Sequence, residues 1–371
     1  MTSAQARGGH ASPAAGRIRE LDALRGFAVC GITIVNTWQH TVGAVHRHTT
    51  TPADWVVENL LQSRFFPIFS FLFGVSFVLF LRSAAHRTSR PRLALLRRLA
   101  VLACLGLLHQ MVDPGEVLLP YAVIGAVVLL PASFLPAWTV LIAGAAATLW
   151  AALFHAGGIW LVPGLFLLGM AFIRYAPGPR ALGPVFAVSA PLAVALTGAW
   201  VYLWAHPGTF LFPFTVSVYP LAGLAAATAY CTGVLLLLRR RSSPWPPEPE
   251  PGREPEPGRE TRPEPGPGWE AQPGPGRGPG PGGRAARVLE ALGRVALTAY
   301  LAGTLATLAA LPLLTGDGTR AGVLAVAAVT IAVLAAFARW WLARFRYGPA
   351  EWLWRCLTWW EIVPNRLRLG R

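Results

Sequence analysis

His109 lies inside an apolar run, about ten residues beyond Leu99 and so roughly 15 Å along a helix, where an ionisable side chain is expensive to keep. A neutral imidazole at that depth suits a general base working near pH 7; it suits equally a hydrogen bond to a neighbouring helix. Asp113 and Glu116 flank the turn that follows, where a carboxylate can orient the imidazole or meet a substrate. At the opposite ends of the apolar runs the chemistry is cationic. Arg25 sits just inside the first run, three residues from Asp22 on one helical face, and Arg97 and Arg98 belong to an arginine-rich stretch with Arg82, Arg87, Arg90 and Arg92. Guanidinium groups gathered there would bind the phosphates of a cytoplasmic ligand, or would snorkel to the interface and fix topology.

Residues 40–63 collect His40, His46, His48, Asp54 and Glu58. His46 and His48 with a carboxylate are ordinary metal ligands, yet a His pair one residue apart in a polar loop is a weak pattern, and no metal is expected. Asp54 before Trp55 marks instead the start of an interfacial amphipathic helix, its carboxylate at the N-terminus where it is favoured. Asn36, in the same helix as Arg25, brings an amide that needs partners and joins Asp54 and Asp113 as a substrate-side candidate. Cys30, Cys104, Cys231 and Cys356 show neither pairing nor ligand spacing. Trp352, Trp354, Trp359 and Trp360 around Arg355 read as an interfacial helix sealing the cytoplasmic face.

A membrane dictates the elements that must carry these groups. The 371 residues are 54% hydrophobic and 13% charged, whereas a soluble domain has roughly a quarter of its residues charged. The expected fold is an all-α polytopic bundle of about ten transmembrane helices, over 23–39, 64–82, 96–112, 116–134, 136–155, 157–175, 184–206, 213–238, 288–311 and 321–342. Pro67, Pro120, Pro163, Pro191 and Pro220 predict kinks. All 32 basic residues are Arg, and with the N-terminus inside only Arg47, Arg64 and Arg320 fall on outer segments, which places both termini in the cytoplasm. The net charge of +15 thus follows the loops, and no nucleic-acid partner is expected. The first run lacks a cleavage site and reads as an uncleaved span of a bacterial inner or plasma membrane protein.

The chain divides into a cytoplasmic segment at 1–22, a bundle of about eight spans at 23–241, a linker at 242–283, two last spans at 284–342 and a Trp/Arg-rich tail at 343–371. The linker holds 14 Pro and 10 Gly and repeats EPEPGR at 248–253 and 254–259; it cannot bury enough apolar surface to order, and predicts disorder or a partner-binding segment.

Six motifs in order, LDALRGFAVCGITIVN at 21–36, FFPIFSFLFGVSF at 65–77, RRLAVLACLGLLH at 97–109, PGEVLLPYAVIG at 114–125, GRVALTAYL at 293–301 and RYGPAEWLWRCLT at 346–358, resemble the YeiB-like family of bacterial membrane proteins, catalogued as domain of unknown function 418. The LRGFA opening is also distantly similar to transmembrane acyltransferases that use cytoplasmic acyl-CoA. Carried over, Arg25 matches the LRG arginine, and His109 and Glu116 match the GLLH and GDIL elements, with Glu116 in place of Asp. Asn36 stands where acyltransferase relatives carry His, and Ala299 and Gly303 stand where YeiB-like chains carry Asn and Gln.

The resulting expectation is an acyltransferase that moves an acyl group from cytoplasmic acyl-CoA to an extracytoplasmic hydroxyl or amine. Arg25, Arg97 and Arg98 would hold the CoA phosphates, and His109 with Glu116 would be the catalytic pair. Acyl-CoA would be a co-substrate, with no tightly bound cofactor. A proton-coupled transporter fits the same residues, and a scaffold acting through the linker is the third possibility.

Overall fold

The computed structural model describes residues 13–44, 51–176, 178–206, 212–240, 281–316 and 322–367. His46, His48, Arg47, Arg320 and nearly all of the Pro/Gly-rich linker lie outside them. Among the described residues the structure is helical, apart from one isolated bridge between Phe345 and Arg366. In chain order the helices are α1 (Pro13–Ala44), α2 (Pro52–Val56), α3 (Phe65–Ala85), α4 (Pro91–Gln110), α5 (Leu118–Ile124), α6 (Leu130–Ala132), α7 (Ala137–Phe154), α8 (Leu161–Tyr175), α9 (Leu182–Ala205), α10 (Phe212–Arg240), α11 (Pro281–Arg294), α12 (Ala296–Thr315), α13 (Val323–Leu342) and α14 (Pro349–Trp359).

Seven helical segments among the described residues are long and apolar enough to cross a membrane: Pro52–Ala85, Ala137–Phe154, Gly158–Tyr175, Leu182–Ala205, Val216–Arg239, Ala296–Thr315 and Val323–Leu342. The other three expected spans are helical too, but differ in kind. α1 and α4 carry charge in their first halves, and Leu118–Ala132 is short and broken by a π-helical turn at Gly125–Leu129. All three contribute residues to one cavity. The expected span 288–311 is also divided: the chain leaves helical geometry at Val295 (φ −116°, ψ 31°), separating amphipathic α11 from α12.

α1 is the axis of the bundle and packs against α3, α10, α11, α12 and α13. Its contact with α11 is backbone on backbone. A Cβ on Gly26 would strike the Leu289 carbonyl, and one on Gly293 would strike the Asp22 carbonyl, so only glycine permits this crossing. α3 and α8 repeat the device, with Gly74 against Phe166 and Gly169 against Phe71. Apolar side chains of α3, α5 and α8, including Ile68, Leu72, Val75, Tyr121, Phe166 and Met170, fill the main core. α9 packs on α10 and leaves Val188, Leu192, Val194 and Trp204 exposed, as lipid contact requires.

Candidate functional site: a cavity between two unlike ends

A cavity of about 1120 Å³ follows α1. Asp22 and His40 both line it, and at 1.5 Å per residue they stand about 27 Å apart along the helix. Asp22, Arg25, Ile32, Asn36 and His40 recur at helical spacing and form one face of α1 toward the cavity.

At the first end arginine dominates. Arg25 Nη1 donates to Asp22 Oδ1 at 2.7 Å and Nη2 to Ser76 Oγ at 2.7 Å, which holds the guanidinium across α1 and α3. Arg98 lies 3.6 Å from the centroid of the Trp354 ring and 4.8 Å from that of Phe80, while Trp354 Nε1 donates to the Arg98 carbonyl at 2.8 Å. α14 is thereby locked to α4. Arg294, Arg346 and Arg355 complete the wall, and Arg355 stacks on Tyr347 with a buried Nε that has no hydrogen-bond partner. Arg97 is exposed, faces Trp360, and is absent from the wall.

Carboxylates at this end are already engaged. Glu20 takes two 2.8 Å bonds from Arg239, Asp22 is paired with Arg25, and Glu290 pairs with Arg19 at 3.2 Å. Glu351 caps α12 from a distance in sequence: its Oε1 accepts from the Leu297 and Thr298 amides at 2.7 and 3.1 Å, and its Oε2 from the Thr298 hydroxyl at 2.5 Å. Burial pushes the Glu351 carboxyl above its ordinary value, and those bonds oppose the shift. Among the described residues Arg98, Arg294, Arg346 and Arg355 form no ion pair, so the end is open to an anion.

The middle of the cavity is apolar, walled by Ile32, Phe69, Leu72, Phe73, Leu99 and Leu102. Tyr121 interrupts it, and its hydroxyl is satisfied by Ser70 at 2.6 Å.

At the second end His40 Nδ1 lies 2.8 Å from the Asn36 carbonyl and Nε2 lies 3.5 Å from Asp113 Oδ1. The carbonyl can only accept, so Nδ1 carries a proton; Nε2 holds the lone pair in the neutral ring and donates to the Asp113 carboxylate only when the ring is protonated. Asp113 also accepts from the Gly115 amide at 3.1 Å. The bond to Asp113 raises the pKa of His40, with burial opposing and the Asn36 carbonyl adding to the rise. That same bond lowers the pKa of Asp113 against the effect of burial.

The other expected site residues are distributed differently. Glu116 lines the cavity, but its carboxylate accepts from the Leu118 and Leu119 amides at 2.6 and 2.8 Å and thereby caps α5. The expected contact with His109 is not formed. His109 is buried outside the wall, 5.4 Å from the Tyr300 ring between centroids, with neither ring nitrogen hydrogen-bonded. Asp54 does stand at a helix start: with Thr51 it forms a capping box on α2, and it accepts from Trp38 Nε1 at 2.8 Å. It takes no part in the cavity wall. Asn36 does line the wall. Sequence reasoning missed His40 as a catalytic candidate and missed Arg294, Arg346 and Arg355. The spacing of Arg25, Asn36 and His40 on one helix was the available signal for the first; the arginines lie in the motifs at 293–301 and 346–358, which marked the segments without pointing to a shared cavity.

No solved structure matches the chain. An uncharacterised 39.9 kDa protein in the amylase 3′ region of Bacillus acidopullulyticus is 36% identical over 168 residues, covering 43% of this chain and 46% of that protein. The uncharacterised protein YxaH of Bacillus subtilis strain 168 is 30% identical over 129 residues, or 31% of this chain and 32% of YxaH. The chain thus spans less than half the length of these curated relatives. Residues 279–361 match the family described as "Protein of unknown function (DUF418)". This stretch contains Gly293, Arg294, Tyr300, Glu351 and Arg355, so the part of the chain that matches this family model supplies one wall of the cavity.

Proposed function

We propose that this membrane protein is an acyltransferase that takes its acyl group from cytoplasmic acyl-CoA and passes it to a hydroxyl or amine at the other face. The observation that carries this reading is the single cavity with unpaired arginines at one end and a tautomer-fixed histidine beside a carboxylate at the other. Arg98, Arg294, Arg346 and Arg355, with Arg25 held by Asp22 and Ser76, would receive the CoA phosphates. The apolar middle would take the pantetheine arm that carries the thioester toward His40.

His40 assumes the role that sequence reasoning gave to His109, because His40 lines the cavity and His109 does not. The acceptor oxygen or nitrogen bonds to the thioester carbonyl carbon and yields its proton to His40 Nε2. Asp113 stabilises the imidazolium. The carbon–sulfur bond then breaks, and the CoA sulfur leaves with the electron pair and recovers a proton.

Binding is the first test. Saturating acyl-CoA or free CoA, at 100 times its dissociation constant, should add about 2.7 kcal/mol to the purified protein. Arg98→Gln should weaken binding by roughly 10-fold to 100-fold, as loss of a charge-assisted contact implies. Absence of stabilisation by every donor would remove the reading. A proton-coupled transporter is the second reading, favoured by the continuity of the cavity between the two ends of α1. Substrate flux that needs no acyl donor and collapses with the proton gradient would select it.

A further inference from the structure

Arg64 is wholly buried, at 0% exposure, and is the largest of the fully buried side chains. It occupies the N-cap position of α3 without a side-chain capping bond, and the first turn of α3 contains no acidic residue. Both circumstances disfavour a cation. Burial strips its hydration, and the positive end of the helix dipole repels it. Partial compensation is visible: Nη1 donates to the Gln62 carbonyl at 2.7 Å, and the Tyr219 ring lies beside the guanidinium at 5.3 Å to the centroid. Nη2 has no partner, and among the described residues Arg64 forms no ion pair.

The buried acids near this end are committed elsewhere. Asp113 faces His40, Glu116 caps α5, and Asp54 caps α2 and binds Trp38. Yet the residues around Arg64, namely Gln62, Ser63, Phe65 and Tyr219, all line the cavity. A buried cation without a countercharge, one side chain behind a large cavity, fits a site whose countercharge arrives with the ligand.

We propose that the histidine end of the cavity binds an oxyanion, a phosphate or carboxylate borne by the ligand on that face, through Arg64 and Tyr219 at the N-terminus of α3. The planar guanidinium fork matches either group, and the helix N-terminus adds its dipole. In the acyl-transfer reading this anion belongs to the acceptor; the site itself stands without that reading.

The test uses the full chain in nanodiscs and reads binding with no acyl donor present, so it fails or succeeds independently of transfer. Glycerol 3-phosphate and acetate are titrated in phosphatidylcholine discs, and discs containing phosphatidylglycerol form a separate arm. A saturable rise in melting temperature with a soluble anion that persists in Arg98→Gln, and so does not come from the arginine end, identifies a free ligand; a rise only with phosphatidylglycerol identifies a lipid headgroup.

In either case Arg64→Gln should weaken binding more than tenfold, while the exposed control Arg97→Gln leaves it unchanged. Arg64→Gln should also melt, without ligand, at or above the wild-type temperature, since it removes an uncompensated charge. Tyr219→Phe, which keeps the ring and removes the hydroxyl, should weaken binding severalfold and serves as the deciding variant if Arg64→Gln does not fold. No anion effect in any arm overturns the proposal. So does undiminished binding in Arg64→Gln, or, where that protein does not fold, in Tyr219→Phe.

Discussion

The two ends of the cavity handle charge in opposite ways. At the arginine end the carboxylates are neutralised inside the protein, Asp22 by Arg25, Glu20 by Arg239 and Glu351 by the first amides of α12, which leaves guanidinium groups in surplus. At the histidine end the buried acids are likewise occupied, but the buried groups left over are one imidazole of adjustable protonation and one arginine. A surplus of fixed charge suits binding, whereas a group that can gain or lose a proton near neutrality suits chemistry. That contrast argues for assigning donor binding to the first end and proton transfer to the second.

The contrast would break most visibly at His40. His40→Ala should reduce acyl transfer in proteoliposomes by roughly 100-fold to 10,000-fold, the usual contribution of a general base, while donor binding at the other end persists. Loss of both together would mean that the ends are not separable. In the wild type, transfer should rise with pH through a value above the ordinary imidazole 6.5, because the base must be neutral and its pKa is raised.

Stability follows the opposite sense for the same residue. The contribution of His40 is complete below its unfolded pKa and is lost as pH rises through the raised one. That of Asp113 is present above its unfolded pKa and disappears as pH falls through the lowered one. The pair therefore stabilises most between these limits, and thermal melts of His40→Ala across pH should lose that window.

A smaller effect is expected where α11 meets α1. Gly293→Val forces a side chain into the Asp22 carbonyl and should cost about 3 kcal/mol, toward the upper part of the overpacking range. Because this crossing positions Asp22 and Arg25, donor affinity should fall with stability, while oxyanion binding at Arg64 should not.

The smallest change belongs to Glu351. Glu351→Gln retains an oxygen for the α12 amides and suits a site where burial already favours the neutral acid, so it should shift stability by less than about 0.5 kcal/mol. Glu351→Ala removes the cap and should cost about 1–2 kcal/mol. Equal melting temperatures for the two variants would show that the cap contributes nothing.

Much of the architecture was legible because a bilayer imposes simple rules. Long apolar runs between arginine-bearing loops specify membrane helices, and the stretches at 137–154, 161–175 and 323–342 emerge as helices close to where hydropathy puts them. The same rule misjudged 288–311. Hydropathy averages over the break at Val295, and only the structure shows that α11 is a separate helix laid on α1 through Gly293 and Asp22.

For the candidate site, sequence alone determined a membrane helix bundle and the local pairing of Asp22 with Arg25, since both depend on composition or on neighbours within one turn. Tertiary structure alone decided that His40 rather than His109 faces the cavity, that Glu116 spends its carboxylate on α5, and that Glu351 caps a helix more than fifty residues away in the chain. The physical reason is that these outcomes depend on which helix faces come together. Periodicity places a residue on its own helix, and only packing determines what that face meets.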